Sequence, residues 1–299
     1  MKTLRILFLL LLPFQWLSAQ NLQPYIIGVE STEGISVLKN TIKQNLESNS
    51  IQVVGEYQPA NDNNRWILVF TSPELINSVK LVGGRTGFAA TLRVALTFEN
   101  GKTVVSYTNP IYWGNAYFQD DFDKVKGNYT KLSNNIISAM KASGKYIGTG
   151  FGSKKGISAD DLQGYHYMMG MPYFEDSVEL EDFDSYSAAV SKIDANVKKG
   201  VSNVKMIYKV TIPGKNLTLY GFALSGENGE GQFLPIIDIG SPKHTAFLPY
   251  EVLVNNDEVH MLHGRFRIAL AFPDLTMGTF SKIMSTPGNI EDLLEGVVE

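Results

Sequence analysis

The chain runs through one order of elements twice, and this constrains its fold more than any single motif. In the first half a short apolar strand, residues 24–30, leads through Ser31-Thr32-Glu33-Gly34 into a segment where Ile35, Leu38, Ile42 and Leu46 recur at helical spacing. Repeats three and four residues apart fall on one face of a helix, so the segment reads as amphipathic. Strands follow at residues 51–58 and 65–71, separated by the turn-forming run Pro59 to Asn64. After a short segment at 73–82, Leu92, Val94, Leu96 and Phe98 alternate with Arg93, Ala95 and Thr97, the pattern of a half-buried strand. Glu99-Asn100-Gly101-Lys102 turns the chain into residues 103–107, because Asn-Gly supplies positive φ. A helix over 122–141 closes the unit.

The second half replays this order. Tyr186, Val190, Ile193 and Val197 give the helix, and 204–212 the strand behind it. Leu248, Tyr250, Val252 and Val254 form a strand that reaches Asn255-Asn256-Asp257-Glu258, which answers Glu99 to Lys102. One strand is expected over 259–272, then terminal helices near 275–284 and 290–298. A strand at 217–225 and the loop from Gly226 to Gly231 have no counterpart in this reading. The expectation is an α+β chain of two similar lobes, residues 21–143 and 182–299, joined by a connector at 144–181 and packed as a monomeric pseudo-dimer. An unrelated second domain is the alternative, since the repeat rests on element order.

Composition narrows the setting. Lys2 and Arg5, the apolar run from Ile6 to Leu12 and Leu17-Ser18-Ala19 read as a cleaved leader over residues 1–20. The apolar run is too short to span a bilayer, so a soluble periplasmic or secreted protein is expected. Cysteine is absent, which removes disulfides, thiolate metal sites and Cys nucleophiles. Acidic residues outnumber basic ones, 30 to 26, which argues against a nucleic-acid or anionic-membrane surface. No Gly-x-Ser-x-Gly and no His-Glu-x-x-His occurs, so hydrolase and zinc-protease templates have no support. Gly148 to Gly156 fails the phosphate-loop spacing and reads as a flexible linker.

Val69-Phe70-Thr71-Ser72-Pro73-Glu74-Leu75, Leu92-Arg93-Val94 and the run Gly101 to Pro110, ending Val105-Ser106-Tyr107-Thr108-Asn109-Pro110, resemble the bacterial family called domain of unknown function 302. The resemblance covers residues 25–143. This chain has Ser72-Pro73 where the family has Asn-Pro, and Thr91-Leu92 where it has Leu-Pro; the second half offers Leu248-Pro249. The resemblance implies lobes built on a curved, mainly antiparallel sheet with helices packed on one face. It implies no established activity and no catalytic residues.

Four groups carry candidate chemistry. His166, Met168, Met169 and Met171 offer the imidazole and thioethers that Cu(I) prefers, or else they fill a groove between the lobes. With 259–272 as a strand, alternation puts His263, Arg265 and Arg267 on one face, an anion-binding stripe or a salt-bridged face with Glu251, Asp238 or Asp274 as partners. On the same strand His260 and His263 point to opposite faces, so a zinc pair is not expected unless Gly264 marks a bulge. Tyr107, Tyr112, Trp113, Tyr117 and Phe118 cluster about a loop at 108–118, either a partner or ligand surface or the seal of a sheet edge. The functional expectation is a module binding a small ligand or protein, with no cofactor and no assigned metal. The ligand-binding candidates are His263, Arg265, Arg267, Glu251, Asp274, Tyr107 and Trp113, in a cleft where the lobes meet. Alternatives are an enzyme acting on a small anionic substrate, using His263, Arg265 and Arg267 with Glu251 or Asp274, and a structural partner in an envelope assembly that presents the aromatic loop.

Overall fold

The structure, a computed structural model, describes residues 21–299, so the leader-like stretch lies outside the described residues. The first sheet is built from β1 (Tyr25–Ser31), β2 (Gln52–Tyr57), β3 (Arg65–Thr71), β4 (Leu92–Glu99), β5 (Lys102–Thr108) and β6 (Tyr146–Phe151). Its order is β2-β3-β4-β5-β1-β6, and every pairing is antiparallel. Helices α1 (Ile35–Ser48), α2 (Pro73–Val82), α3 (Pro110–Phe118) and α4 (Phe122–Ser143) belong to this lobe, and α1 buries Leu38, Ile42 and Leu46, the residues of its apolar stripe. Ser72 starts α2 by accepting a hydrogen bond from the Leu75 amide at 3.3 Å, with Pro73 in the first turn, where its missing N–H is no loss.

A short helix α5 (Ala159–Gln163) lies in the connector. The second sheet contains β7 (Val178–Asp182), β8 (Val204–Thr211), β9 (Leu217–Leu224), β10 (Tyr250–Asn255) and β11 (Glu258–Met261), in the antiparallel order β7-β11-β10-β9-β8. Around it are α6 (Tyr186–Lys199), α7 (Glu230–Ile237), α8 (Gly264–Ala271), α9 (Met277–Phe280) and α10 (Thr286–Glu295). With β7 in the place of β1, the order β2-β3-β4-β5-β1 is matched by β8-β9-β10-β11-β7. The strand at 217–225 is therefore not an addition: β9 occupies the place of β3. The hairpins joining β4 to β5 and β10 to β11 both turn on an Asn with positive φ, 50° at Asn100 and 58° at Asn256.

The lobes meet reciprocally. A 3₁₀ segment before β4, Gly84–Ala90, packs on β10, while the 3₁₀ segment before β10, Thr245–Phe247, packs on β4. Edge strands β2 and β8 also lie side by side, each with a register shift, between Val53 and Gly55 and between Met206 and Tyr208. Gly55 permits that approach, because a Cβ there would sit 2.6 Å from the Ile207 carbonyl oxygen. The contacts are thus reciprocal, each 3₁₀ segment lying on a strand of the other sheet.

Three segments fold differently from their sequence pattern. Residues 259–272 are not one strand: β11 ends at Met261, and α8 begins after His263, whose Nδ1 accepts from the Arg265 amide at 3.1 Å. Phe266, Ile268, Ala269, Leu270 and Ala271 are all buried, and a helix apolar on nearly every side carries no periodicity to distinguish it from a strand. The supposed loop at 108–118 is largely α3, where Asn109 caps and Pro110 starts the helix. The linker at 148–156 is in part β6, paired with β1, so the first lobe runs to Phe151. Among the described residues no helix is long and apolar enough to cross a membrane.

Candidate functional site

The polar face of β4, which the alternation would leave to solvent, is buried by the second lobe. Arg93 and Thr97 are fully enclosed. Arg93 pairs with Glu251 of β10, and Arg267 of α8 approaches the other carboxylate oxygen at 3.3 Å. Tyr208 donates to the same carboxylate, Thr91 donates to it at 3.1 Å, and the Arg267 guanidinium donates to Tyr117 and to the Phe247 carbonyl at 2.6 Å. Arg267 also lies over the Trp113 ring, 5.4 Å from its centroid. Arg93 Nη2 faces Glu251 Oε1 and Arg267 Nη2 faces Glu251 Oε2, both within charge-pairing distance but without hydrogen-bond alignment, so attraction between unlike charges holds them. Burial pushes the Glu251 carboxyl up, and Arg93 and Arg267 more than reverse this, leaving it below the ordinary carboxylate range.

Flanking contacts extend the seam. Glu230 accepts from the Tyr57 hydroxyl at 2.8 Å and from the Ala60 amide at 3.0 Å, and burial pushes its carboxyl up to about 7. Arg65 pairs with Asp238, whose other oxygen accepts from the His244 amide at 2.6 Å. There is thus no cleft at Arg267, Glu251 and Trp113: the seam between the lobes is filled by their own pairing. Tyr107 is likewise buried, its hydroxyl 3.0 Å from that of Tyr146, and the aromatic loop is a buried helix rather than a partner surface.

The anion stripe disperses because helical spacing replaces alternation. Arg267 turns inward, Arg265 is exposed, and His263 caps α8. The Met-rich segment departs from the groove-filling reading at Met168 and Met169. Met169 is 95% exposed and Met168 43%, so neither fills a groove, and the His166 ring lies tilted against Tyr173, with centroids 4.5 Å apart. Tyr165 and Phe174 are the residues of this segment that reach the core, Tyr165 donating to the Ala269 carbonyl.

Two of the candidates, Arg265 and Asp274, line recesses on the walls of the 275–280 segment. On one side a cavity of ≈ 30 Å³ is bounded by Tyr167, Met171, Arg265, Leu275, Met277 and Phe280. Among the described residues the Arg265 guanidinium is paired with no carboxylate. On the other side a groove of ≈ 200 Å³ has apolar walls from Ile236, Ile239, Phe272 and Leu275, with His244 and Asp274 among its polar groups. His244 Nδ1 lies 3.0 Å from the Ala271 carbonyl oxygen, and a carbonyl can only accept, so Nδ1 carries the proton and Nε2 is the acceptor of the neutral ring. Burial lowers the His244 pKa, partly offset by Asp238, which keeps the ring neutral near pH 7. The imidazole is fixed by stacking on Phe272 at 4.7 Å and by Tyr25 of the first lobe at 5.0 Å. Asp274 is exposed and accepts from the Lys154 amide. His244 had no signal in the sequence: no motif surrounds it, and its role comes from the fold of the 238–245 turn.

No family model matches the chain, and no curated protein matches it. A solved structure resembles part of it. That structure is the crystal structure of an uncharacterized conserved protein of domain of unknown function 302 from Bacillus stearothermophilus, 13% identical, with a TM-score of 0.35, covering 39% of this chain and 95% of that one.

Proposed function

We propose that this chain is an exported, non-catalytic binding protein, two lobes descended from one unit by tandem duplication, that takes a small and largely apolar ligand in the groove beside His244 and Asp274. The groove carries this reading. Apolar walls surround a neutral imidazole with a free acceptor nitrogen and one exposed carboxylate, the combination that binding sites for small molecules use to fix orientation. Those two acceptors favour a ligand that brings a donor, such as an amine or alcohol. Duplication is supported by the matched strand order, the equivalent Asn hairpins and the reciprocal lobe contacts. Export rests on the leader-like first 20 residues.

Enzyme chemistry has less support, because the carboxyl poised nearest neutrality, Glu230, is buried and its oxygens are taken up by Tyr57, Ala60 and Leu224. An anionic ligand is favoured by Arg265 alone, with its unpaired guanidinium beside the smaller cavity. Protein-observed NMR with small apolar amines, alcohols and carboxylates tests the choice. Amines and alcohols should shift the resonances of Ile236, Ile239 and His244. Carboxylates moving Arg265 and Met277 instead would favour the anionic reading.

A further inference from the structure

On the pair β7 and β11, His260 and Glu179 are direct cross-strand partners, and Glu258, two residues from His260, shares their face. One ligand atom from each of the three residues lies within 4.8 Å of the others. The His260 side chain is almost fully buried, with Nε2 2.8 Å from Glu258 Oε2, while both glutamates reach solvent. A register shift between Val259 and His260 sets the arrangement, placing Glu179 opposite His260 and Asp182 opposite Glu258. Like charges directly opposed across a strand pair repel. Among the described residues none of Glu179, Glu258 and Asp182 is paired with a Lys or Arg, so Glu179 and Glu258 meet at one imidazole, with Asp182 opposite Glu258, and no cationic side chain offsets them.

The imidazole is also held from behind. His260 Nδ1 lies 3.5 Å from Ser177 Oγ, and that oxygen accepts from Arg85 Nε of the first lobe at 2.7 Å. A histidine that binds a metal through one ring nitrogen has the other fixed by an outer partner of this kind. With Nε2 committed to a cation, Nδ1–H donates to Ser177 Oγ, which can accept from both His260 and Arg85.

We propose that His260, Glu179 and Glu258 form a binding site for a divalent first-row cation such as Zn²⁺. One imidazole nitrogen with two carboxylate oxygens suits Zn²⁺ better than Ca²⁺ or Mg²⁺, which take oxygen ligands. Bonds of about 2.1 Å in tetrahedral array put ligand atoms about 3.4 Å apart, within reach of modest rotations of the two exposed glutamates. The three protein ligands leave a fourth position for water. The cation would tie β7 to β11 and, through Ser177 and Arg85, the second lobe to the 3₁₀ segment of the first.

Metal-stripped full-length protein titrated with Zn²⁺ by calorimetry, and with Co²⁺ by visible absorption, tests the site. Wild type should bind one ion per chain saturably, show Co²⁺ d–d bands and melt at a higher temperature with Zn²⁺. Glu179→Gln and Glu258→Gln, both at solvent-reaching positions and checked for folding by circular dichroism without metal, should each lose the bands and the Zn²⁺-dependent rise in melting. Ser177→Ala should weaken binding about tenfold. Glu181→Gln, on the opposite face, should bind like wild type. No saturable binding by wild type, or equal binding by the Glu179 and Glu258 variants, would reduce the cluster to an ordinary His–carboxylate hydrogen bond.

Discussion

Arg93 and Glu251 form a charge pair across the seam between the lobes, each buried and each supplied by a different sheet, with Arg267 closing on the same carboxylate at 3.3 Å. Removing the one anion would leave two guanidinium groups buried against each other. Glu251→Ala should therefore lower stability by about 3–5 kcal/mol, read from urea denaturation. A single transition should persist, because the pair joins both lobes. Replacing all three by apolar residues of like volume should recover much of the loss, since pairing in a dry interior barely exceeds the desolvation it must overcome.

Glu230 gives the seam a pH dependence. Its folded pKa, about 7, lies above the ordinary 4.5, so the folded state holds a proton there that the unfolded chain releases. The contribution is fully present below about pH 4.5 and is lost as pH rises to about 7, amounting to about 3 kcal/mol. His244 acts with the opposite sign: its lowered pKa makes stability fall as pH drops below 6.5. The comparison that isolates Glu230 is the stability–pH curve of Glu230→Gln against wild type. The difference between the curves should change between pH 4.5 and 7 and be flat elsewhere.

Gly55 and Ile207 show how closely the two edge strands approach. In Gly55→Ala the new methyl would meet a backbone carbonyl, which cannot rotate away as a side-chain tip can. A loss of about 1–3 kcal/mol is expected in thermal melts, from overpacking at the β2–β8 contact.

Met169 reverses an expectation from sequence. As a buried groove filler it would cost about 2–5 kcal/mol on truncation to Ala. At 95% exposure, Met169→Ala should change stability by no more than about 0.5 kcal/mol in the same melts.

The first lobe was largely legible because its elements keep clean periods: α1 buries the Leu38, Ile42 and Leu46 stripe, and the alternating run of β4 does form a strand, Leu92–Glu99. Legibility failed where burial is two-sided. α8 lost its periodicity inside the core, and the polar face of β4, Arg93 and Thr97, looked solvated because the lobe that covers it is distant in sequence. Turn-forming residues misled at α3, where Gly114 is present because a Cβ would strike Phe122 and Tyr129 of α4, 2.5 and 2.7 Å away. Of the candidate groove, Asp274 could be picked out as a carboxylate. His244 could not, since its position depends on rings from β1, β6 and the end of α8 that meet only in the fold.

The groove beside His244 is tested most directly by native mass spectrometry of the full protein purified from its own host, compared with Ile239→Trp, which fills the groove from its exposed rim. Wild type should carry a small molecule that dissociates on collisional activation, and the variant, equally well folded, should carry none. Wild type without any retained molecule, or a variant that retains the same one, would contradict a binding function at this groove.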